Sequence, residues 1–370
     1  MIKFETHINN WLEDTDVKIN GDRDWDIQIH DSRFYRRVFF DGALGLGESY
    51  MDSWWETIQL DQLFHKLLVT DLEHKVKTRA DLLVKLQSKI FNLQAMRRAF
   101  HVGKKHYDIG NDLFSCMLDK RLTYTCGYWK HADTLDQAQE DKLDLICRKI
   151  GLQENQRVLD IGCGWGSFLK FAAEKYGAQT VGITVSQEQA DYVRKDCKHL
   201  PVEVRLQDYR ELNEKFDHIV SIGMFEHVGF KNYKKYMQVA ARCLKDEGLF
   251  LLHTIGSNYT RHNPDPWVNK YIFPNGMLPS LKDISIATEN VFVLEDHHSF
   301  GTDYDKTLMA WFTNFDNNWD LLSNKYGEKF YRMWKYYLLC CAGAFRARNI
   351  QLWQFVLSKN GVIGGYDSVR

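Results

Sequence analysis

The segment Asp160-Ile161-Gly162-Cys163-Gly164-Trp165-Gly166 sets an acid ahead of glycines at every second position. Such glycines let the backbone approach a bound molecule closely. The segment closes an apolar run, Arg157-Val158-Leu159-Asp160, and opens a helical pattern from Ser167 to Tyr176. The N–H groups of that helix N-terminus would face the same molecule. The spacing is G-x-G-x-G, whereas a dinucleotide loop wants G-x-G-x-x-G, which argues against NAD. Asp160 suits an amino group or a ribose better than a pyrophosphate. A tight glycine turn with no ligand is the alternative.

A second set of reactive side chains is scattered along the chain. Glu226 and His227 lie in Gly223-Met224-Phe225-Glu226-His227-Val228-Gly229, and His253 and Ile255 in His253-Thr254-Ile255-Gly256. Tyr304 follows Gly301-Thr302-Asp303, and Cys126 sits in Leu122-Thr123-Tyr124-Thr125-Cys126-Gly127. A Cys/His/Glu set can hold zinc, but no two members sit at chelate spacing, so no metal is expected. Taken singly, His253 reads as a structural histidine and Cys126 as a small buried residue. Cys340-Cys341 lies in a helical pattern where packing is the default role.

These groups need elements to gather them. Apolar runs at Arg157–Asp160, Thr180–Thr184, Val202–Leu206, Asp217–Ile222 and Leu249–Thr254 alternate with helical patterns. Val291–Glu295 and Leu352–Leu357 complete a seven-stranded set. Such alternation predicts an α/β fold, a mostly parallel sheet with helices on both faces. Open parallel sheets bind ligands at their carboxyl edge. Glu226, His227, His253, Ile255 and Tyr304 would fall together there, with Cys126 just before the core. Residues before about 100–110 read as a separate helical domain. No internal repeat or low-complexity linker is evident.

At 370 residues, 44% hydrophobic and 26% charged, the chain can bury a large core. A net charge of −1 argues against a nucleic-acid binder. The first of only five prolines is Pro201, so the first two hundred residues can be largely helical. No run of eighteen apolar residues occurs, and Met1–Asp14 is too charged for a signal peptide, so a cytoplasmic protein with reduced cysteines is expected. Residues 1–65 carry six Lys/Arg against thirteen Asp/Glu, a balance of −7, while residues 66–105 carry ten against three, a balance of +7. In the basic stretch Leu82, Leu83, Leu86, Ile90, Leu93, Met96 and Phe100 recur at helical spacing. That pattern fits a core helix or one lying on an anionic membrane.

The glycine loop resembles the methionine-binding loop of S-adenosylmethionine (SAM) methyltransferases. Where those enzymes commonly place an acid after the second strand, Gly182-Ile183-Thr184-Val185-Ser186 offers hydroxyls, with Gln189 nearby. Leu206-Gln207-Asp208-Tyr209 stands where an acid or amide reads the adenine N6 beside an aromatic; a helix cap is the alternative for Asp208. Beyond the loop, Tyr-Thr-Cys-Gly-Tyr-Trp (124–129), Gly-Met-Phe-Glu-His-Val-Gly (223–229), Leu-Leu-His-Thr-Ile-Gly (251–256), Asn-Lys-Tyr-Ile-Phe-Pro-Asn-Gly (269–276), Phe-Gly-Thr-Asp-Tyr (300–304) and Cys-Ala-Gly-Ala-Phe (341–345) can be matched. Together they resemble the cyclopropane fatty acid synthase family from about residue 100 to 358. The N-terminal part resembles its bacterial phospholipid-acting branch, which carries a helical domain that the mycolic acid cyclopropane synthases lack.

The resemblance implies a Rossmann-like SAM-dependent methyltransferase core over residues 104–370. It implies a mostly helical lipid-binding or dimerisation domain over residues 1–103. The implied reaction moves the SAM methyl carbon to the cis double bond of an unsaturated acyl chain in membrane phospholipid. Its products are a cyclopropane acyl chain, S-adenosylhomocysteine and a proton. A same-family enzyme giving a branched methyl or methylene product is the alternative. The family holds a bicarbonate ion as general base, and the matching ligands are Cys126, Glu226, His253, Ile255 through its backbone, and Tyr304. Cys341 matches a cysteine sometimes assigned to the active site. SAM contacts would fall on Tyr124, Thr125, Asp160, Gly162, Gly164, Gly166, Thr184, Gln189, Gln207, Asp208 and Tyr209. Thr125 stands where serine is more usual, and Cys340 is an extra thiol. The implied partners are unsaturated phospholipid in a bilayer, an anionic membrane surface met peripherally from the cytoplasm, and a second copy of the chain.

An alkene attacking a sulfonium methyl leaves a carbocation on the acyl chain. Water would trap it, so a dry pocket with aromatic faces is needed. Trp267, Tyr271, Phe273, Trp311 and Phe315 are candidate walls, with core packing as the alternative. The Glu226 carboxylate can accept the bicarbonate O–H. His253, the Tyr304 hydroxyl and backbone N–H groups near Cys126 and Ile255 can donate to its other oxygens.

Overall fold

The computed structural model of the chain describes residues 4–70, 110–261 and 263–370. Helices α1 (Phe4–Leu12), α2 (Arg33–Met51) and α3 (Leu60–Leu68) come first, with strands β1 (Gln28–Ile29) and β2 (Trp55–Glu56) paired antiparallel. Helices α4 (Asn111–Met117) and α5 (Leu135–Lys149) precede β3 (Arg157–Ile161), α6 (Ser167–Tyr176), β4 (Gln179–Thr184), α7 (Gln187–Asp196) and β5 (Val202–Leu206). Then follow β6 (His218–Ile222), α8 (Tyr233–Cys243), β7 (Leu249–Ser257), α9 (Pro266–Tyr271), α10 (Leu281–Thr288) and β8 (Val293–Ser299). Helices α11 (Thr302–Asn317), α12 (Trp319–Tyr326) and α13 (Glu328–Arg346) lead into β9 (Ile350–Ser358). The apolar face from Leu82 to Phe100 and the expected domain edge at 103/104 lie outside the described residues.

The described residues form two compact units that do not follow chain order. One holds residues 4–70, 263–275 and 304–350; the other holds 110–261, 276–303 and 351–370.

In the second unit all seven expected runs join one sheet, in the order β5-β4-β3-β6-β7-β9-β8. Strands β3 to β7 pair in parallel. Alternate residues point to opposite faces. Leu159, Ile219, Phe250 and Leu252 pack with Tyr236, Met237 and Ala240 of α8. Val158, Val220, Leu251 and Val356 pack with Ile146, Phe168, Leu169 and Ala172. Both faces are covered, which is why these strands read as near-continuous apolar runs. Each such side chain contributes roughly 1.5–3 kcal/mol on burial. The pairings Asp160 with Gly182 and Val220, and Ile222 with His253, bring the ends of β3, β4, β6 and β7 to one edge. The chain starts at β3, winds outward through β5, then returns to β6 on the other side of β3. That reversal opens a crevice beyond the strand ends.

Two details depart from the sequence reading. Strand β9 inserts between β7 and β8, and β8 runs antiparallel to it with a register shift between Leu294 and Asp296. Strand β8 also begins two residues later than expected. The Thr288 carbonyl accepts the N–H groups of Val291 and Phe292, closing a turn around Asn290, whose φ is 57°.

In the first unit α13 packs on α3 across Gly343, where a Cβ would lie 2.6 Å from the Asp61 carbonyl oxygen. The buried Arg332 guanidinium donates to the Tyr50 and Trp55 carbonyls and lies 4.2 Å from the centroid of the Tyr50 ring. Trp267 packs over Gly47 and against Tyr336, whose ring centroid is 4.6 Å away. No helix among the described residues is long and apolar enough to cross a membrane.

Candidate active site

Asp160 is the penultimate residue of β3, buried like Ile161 after it, and the chain then turns sharply. The N–H groups of Gly162 and Cys163 both donate to the Ile183 carbonyl at 3.0 Å, which pins the loop to β4. Gly164 has φ of 53°, and a Cβ built there would meet nothing within 4 Å. The backbone thus borders open space in a conformation that L side chains rarely adopt. Asp160 is buried and its Oδ1 has no hydrogen-bond partner. Burial raises its pKa to about 7, while the Lys142 ammonium pulls it down. An arriving cationic amino group would hold it ionised. A cradle of this shape, with a buried unsatisfied carboxylate, fits the amino-acid part of SAM.

The end of β4 supplies a second unsatisfied group. Thr184 Oγ1 donates to Gln189 Oε1 at 2.8 Å and accepts the Ser186 N–H, while Ser186 caps α7. The Gln189 carbonyl oxygen is therefore used and its Nε2 is left buried without a partner. At the end of β5 the side chains are already engaged. Asp208 caps the short turn Tyr209–Glu211, and both its oxygens accept from Arg210. Tyr209 belongs to the core, 5.0 Å from Tyr236 between ring centroids. The helix-cap alternative is thus the geometry seen for Asp208, and the partly exposed Gln207 is the more open side chain there.

The Tyr124–Cys126 segment is anchored from α5. Gln139 Nε2 donates to the Thr125 carbonyl at 2.7 Å, and Lys142 Nζ donates to Thr125 Oγ1 at 2.8 Å. The Thr125 methyl carbon lies 2.5 Å from where a Cβ on Gly223 would stand, so glycine is required there. Tyr124 packs edge-on against Phe114, which also contacts Trp165 of the glycine loop. Cys126 is fully buried, and its thiol donates to the Gly127 carbonyl at 3.1 Å.

Glu226 and His253 come from the ends of neighbouring strands. Glu226 Oε1 accepts the Ile255 N–H, while Oε2 is buried without a partner. Burial raises the Glu226 pKa to about 7. Ile255 was expected to offer its N–H to an anion; that N–H is taken by Glu226, because the turn after β6 swings the carboxylate onto β7. His253 is buried, and burial holds its pKa well below the usual range, so the ring is neutral. Gln354 Nε2, from β9, lies 3.2 Å from His253 Nδ1. An amide donating to Nδ1 leaves the ring hydrogen on Nε2, which is buried and unpartnered. Unpartnered buried polar atoms are costly, on the order of 1–3 kcal/mol each. Among the described residues such atoms on Asp160, Gln189, Glu226 and His253 fall toward one sheet edge, with the unpartnered Gln354 Oε1 beside His253.

Tyr304 and Cys341 belong to the other unit. Tyr304, in α11, stacks on Phe345 at 4.5 Å and meets Trp311 edge-on at 5.9 Å. Cys341 is half-buried in α13, and the Cys340 thiol donates to the Tyr337 carbonyl. Trp267, Trp311 and Phe315 are buried within this unit, while Tyr271 and Phe273 are partly exposed.

Sequence reasoning passed over Gln139, Lys142 and Gln354. For Lys142 a signal existed: Leu135, Ala138, Lys142, Leu145 and Lys149 recur at steps of three and four, so the lysines sit on the apolar stripe of α5.

A model of the mycolic acid cyclopropane synthetase family matches residues 94–355. The cyclopropane-fatty-acyl-phospholipid synthase of Escherichia coli K12 is 52% identical over 363 residues, covering 98% of this chain and 95% of that one. Among solved structures, the cyclopropane synthase MmaA2 from Mycobacterium tuberculosis matches with a TM-score of 0.67 at 32% identity, over 70% of this chain and 98% of that one. Mycolic acid cyclopropane synthase CmaA1, complexed with SAH and CTAB, gives 0.66 at 34% identity, over 70% and 98%.

Proposed function

The chain belongs to the mycolic acid cyclopropane synthetase family, and from that premise we propose that it is a SAM-dependent cyclopropane-fatty-acyl-phospholipid synthase. Its substrate in this reading is the cis double bond of an unsaturated acyl chain in membrane phospholipid. The observation that carries the proposal is the set of buried unpartnered atoms Asp160 Oδ1, Gln189 Nε2, Glu226 Oε2 and His253 Nε2 around one sheet edge. The identity with the Escherichia coli enzyme over nearly the whole chain supports the lipid substrate.

When bound, SAM supplies an electrophilic methyl carbon. Asp160 and Gln189 hold its polar parts, and Gly164 leaves room for them. Bicarbonate, taken as the base, supplies a small acceptor that is also a hydrogen-bond donor. Glu226 Oε2 would accept its O–H, and His253 Nε2 would donate to one of its oxygens. Two carboxyl-type groups this close would repel strongly in a dry site, and the O–H turns that repulsion into a charge-assisted bond. Gln354, donating its amide to His253 Nδ1, would leave the ring hydrogen on Nε2. Binding to an anionic membrane surface belongs to the same proposal, supported by the +7 balance of residues 66–105.

The test is a methyl-transfer assay on vesicles of unsaturated phospholipid with the lipids analysed by mass spectrometry. A gain of one carbon and two hydrogens with loss of the double bond is expected. A branched methyl or methylene product, or no transfer to lipid, overturns the assignment.

A further inference from the structure

Helix α5 carries a lysine where a core helix should carry an apolar residue. Lys142 is fully buried, on the stripe formed by Leu135, Ala138, Leu145 and Ile146. Its Nζ donates to Thr125 Oγ1 at 2.8 Å, and among the described residues no carboxylate is within ion-pair distance. Burying an ammonium with a single neutral hydrogen-bond partner is costly unless the charge has a use. One turn earlier Gln139, also buried, holds the Thr125 carbonyl at 2.7 Å. The two side chains grip Thr125 by its backbone and its hydroxyl, while its methyl abuts Gly223. Tyr124, Thr125 and Cys126 are thus set by α5, and Gly223 opens the turn that carries Glu226.

We propose that Lys142 is a positioning residue of the cofactor site, tethering Thr125 and supplying the buried positive charge that acts on the Asp160 carboxylate. This rests on the SAM reading above. The groups that face Lys142 are Asp119, Cys126 and Asp160, and its charge is also felt at His253. Asp119 is committed elsewhere, its carboxylate accepting the N–H groups of Thr123 and Arg121 and the Thr123 hydroxyl. Asp160 instead has an unpartnered oxygen. Its titratable neighbours besides Lys142 are Cys163 and Tyr236, both pushed up by burial and so neutral. Lys142 is therefore the one cation acting on that carboxylate among the described residues. Burial lowers the Lys142 pKa to about 8, so the charge is still carried at neutral pH.

The sign of the effect separates charge from mere packing. SAM binding through an ionised Asp160 should weaken as pH falls through the carboxylate's pKa. Removing Lys142 raises that pKa further, so the acid limb of the binding curve moves to higher pH. We expect Lys142→Met, measured by calorimetry with SAM from pH 5.5 to 8.5, to bind about 10-fold more weakly at pH 6.5 and within about 3-fold of wild type at pH 8.5. Thr125→Val should weaken binding at every pH, and Thr125→Ser, which keeps the hydroxyl, should bind like wild type. A limb that stays in place in Lys142→Met overturns the charge role. Wild-type-like binding in Thr125→Val overturns the tether, a result that stands whether or not Lys142→Met folds. Wild-type protein that binds no SAM at any pH overturns the functional reading itself and this role with it.

Discussion

Glu226 Oε1 accepts the Ile255 N–H at 2.6 Å, which ties the turn after β6 to β7 and leaves the second carboxylate oxygen without a hydrogen-bond partner among the described residues. A glutamine can keep the bond to Ile255 through its amide oxygen. What it loses is a carboxylate able to accept a hydroxyl. Glu226→Gln is therefore expected to lower turnover about 10²-fold, the usual scale for positioned acid–base help, with SAM affinity little changed. Steady-state transfer and calorimetry check this; an equal loss in both would make Glu226 a cofactor ligand.

The same residue leaves a signature in stability. Burial raises the folded-state pKa of Glu226 from the ordinary value of 4.5 to about 7. A raised pKa contributes stability that is fully present below pH 4.5 and lost as pH climbs through 7. Glutamine does not titrate, so Glu226→Gln should gain on ligand-free wild type by on the order of 2–3 kcal/mol between pH 4.5 and pH 8. Denaturant midpoints at those two pH values measure the difference, and parallel curves would mean the carboxylate is solvated.

Removing carbon dioxide and carbonate from the buffer should depress turnover, and added bicarbonate should restore it. The effect belongs to the chemical step, so SAM affinity should hold. Full activity in carbonate-free buffer, with no ion retained by the protein, would assign the base to a side chain.

Gly164 combines a φ of 53° with open space where a Cβ would project. Gly164→Val should abolish SAM binding by filling that space. The strain of a non-glycine residue there is on the order of 1–3 kcal/mol, so the fold survives. Calorimetry and thermal melting together test this: native-like affinity would move the cofactor elsewhere.

Residues 66–105 should draw the protein to anionic vesicles, with about 1 kcal/mol per well-placed basic side chain. Co-sedimentation should weaken as salt rises. Reversing the charge of Lys85, Lys89, Arg97 and Arg98 should weaken it further. A quadruple variant that sediments like wild type places the membrane surface elsewhere.

The parts legible in the sequence are those written in short-range pattern. The Asp160–Gly166 loop and the runs that became β3 to β7 are local, so apolar periodicity and glycine spacing sufficed to place them. The insertion of β9 between β7 and β8 is a choice between long-range pairings that no local pattern encodes. Gln354 was invisible for the same reason, since its partner His253 is 101 positions away. Lys142 was hidden differently: a charged residue in a polar-looking helix reads as solvated unless its place on the apolar stripe is counted. Asp208 looked like a ligand because its strand-end position suits one, and Arg210, two residues on, takes both of its oxygens.

The place of Gln354 has a consequence for how the sheet answers to change. His253 stands on β7 and Gln354 on its neighbour β9, so their 3.2 Å contact holds only while the two strands keep their register. Side chains alternate between faces along a strand, so a slip of one residue would turn Gln354 to the opposite face of the sheet. A single-residue insertion or deletion in β9 is therefore felt at His253, although β9 carries none of the site's sequence motifs.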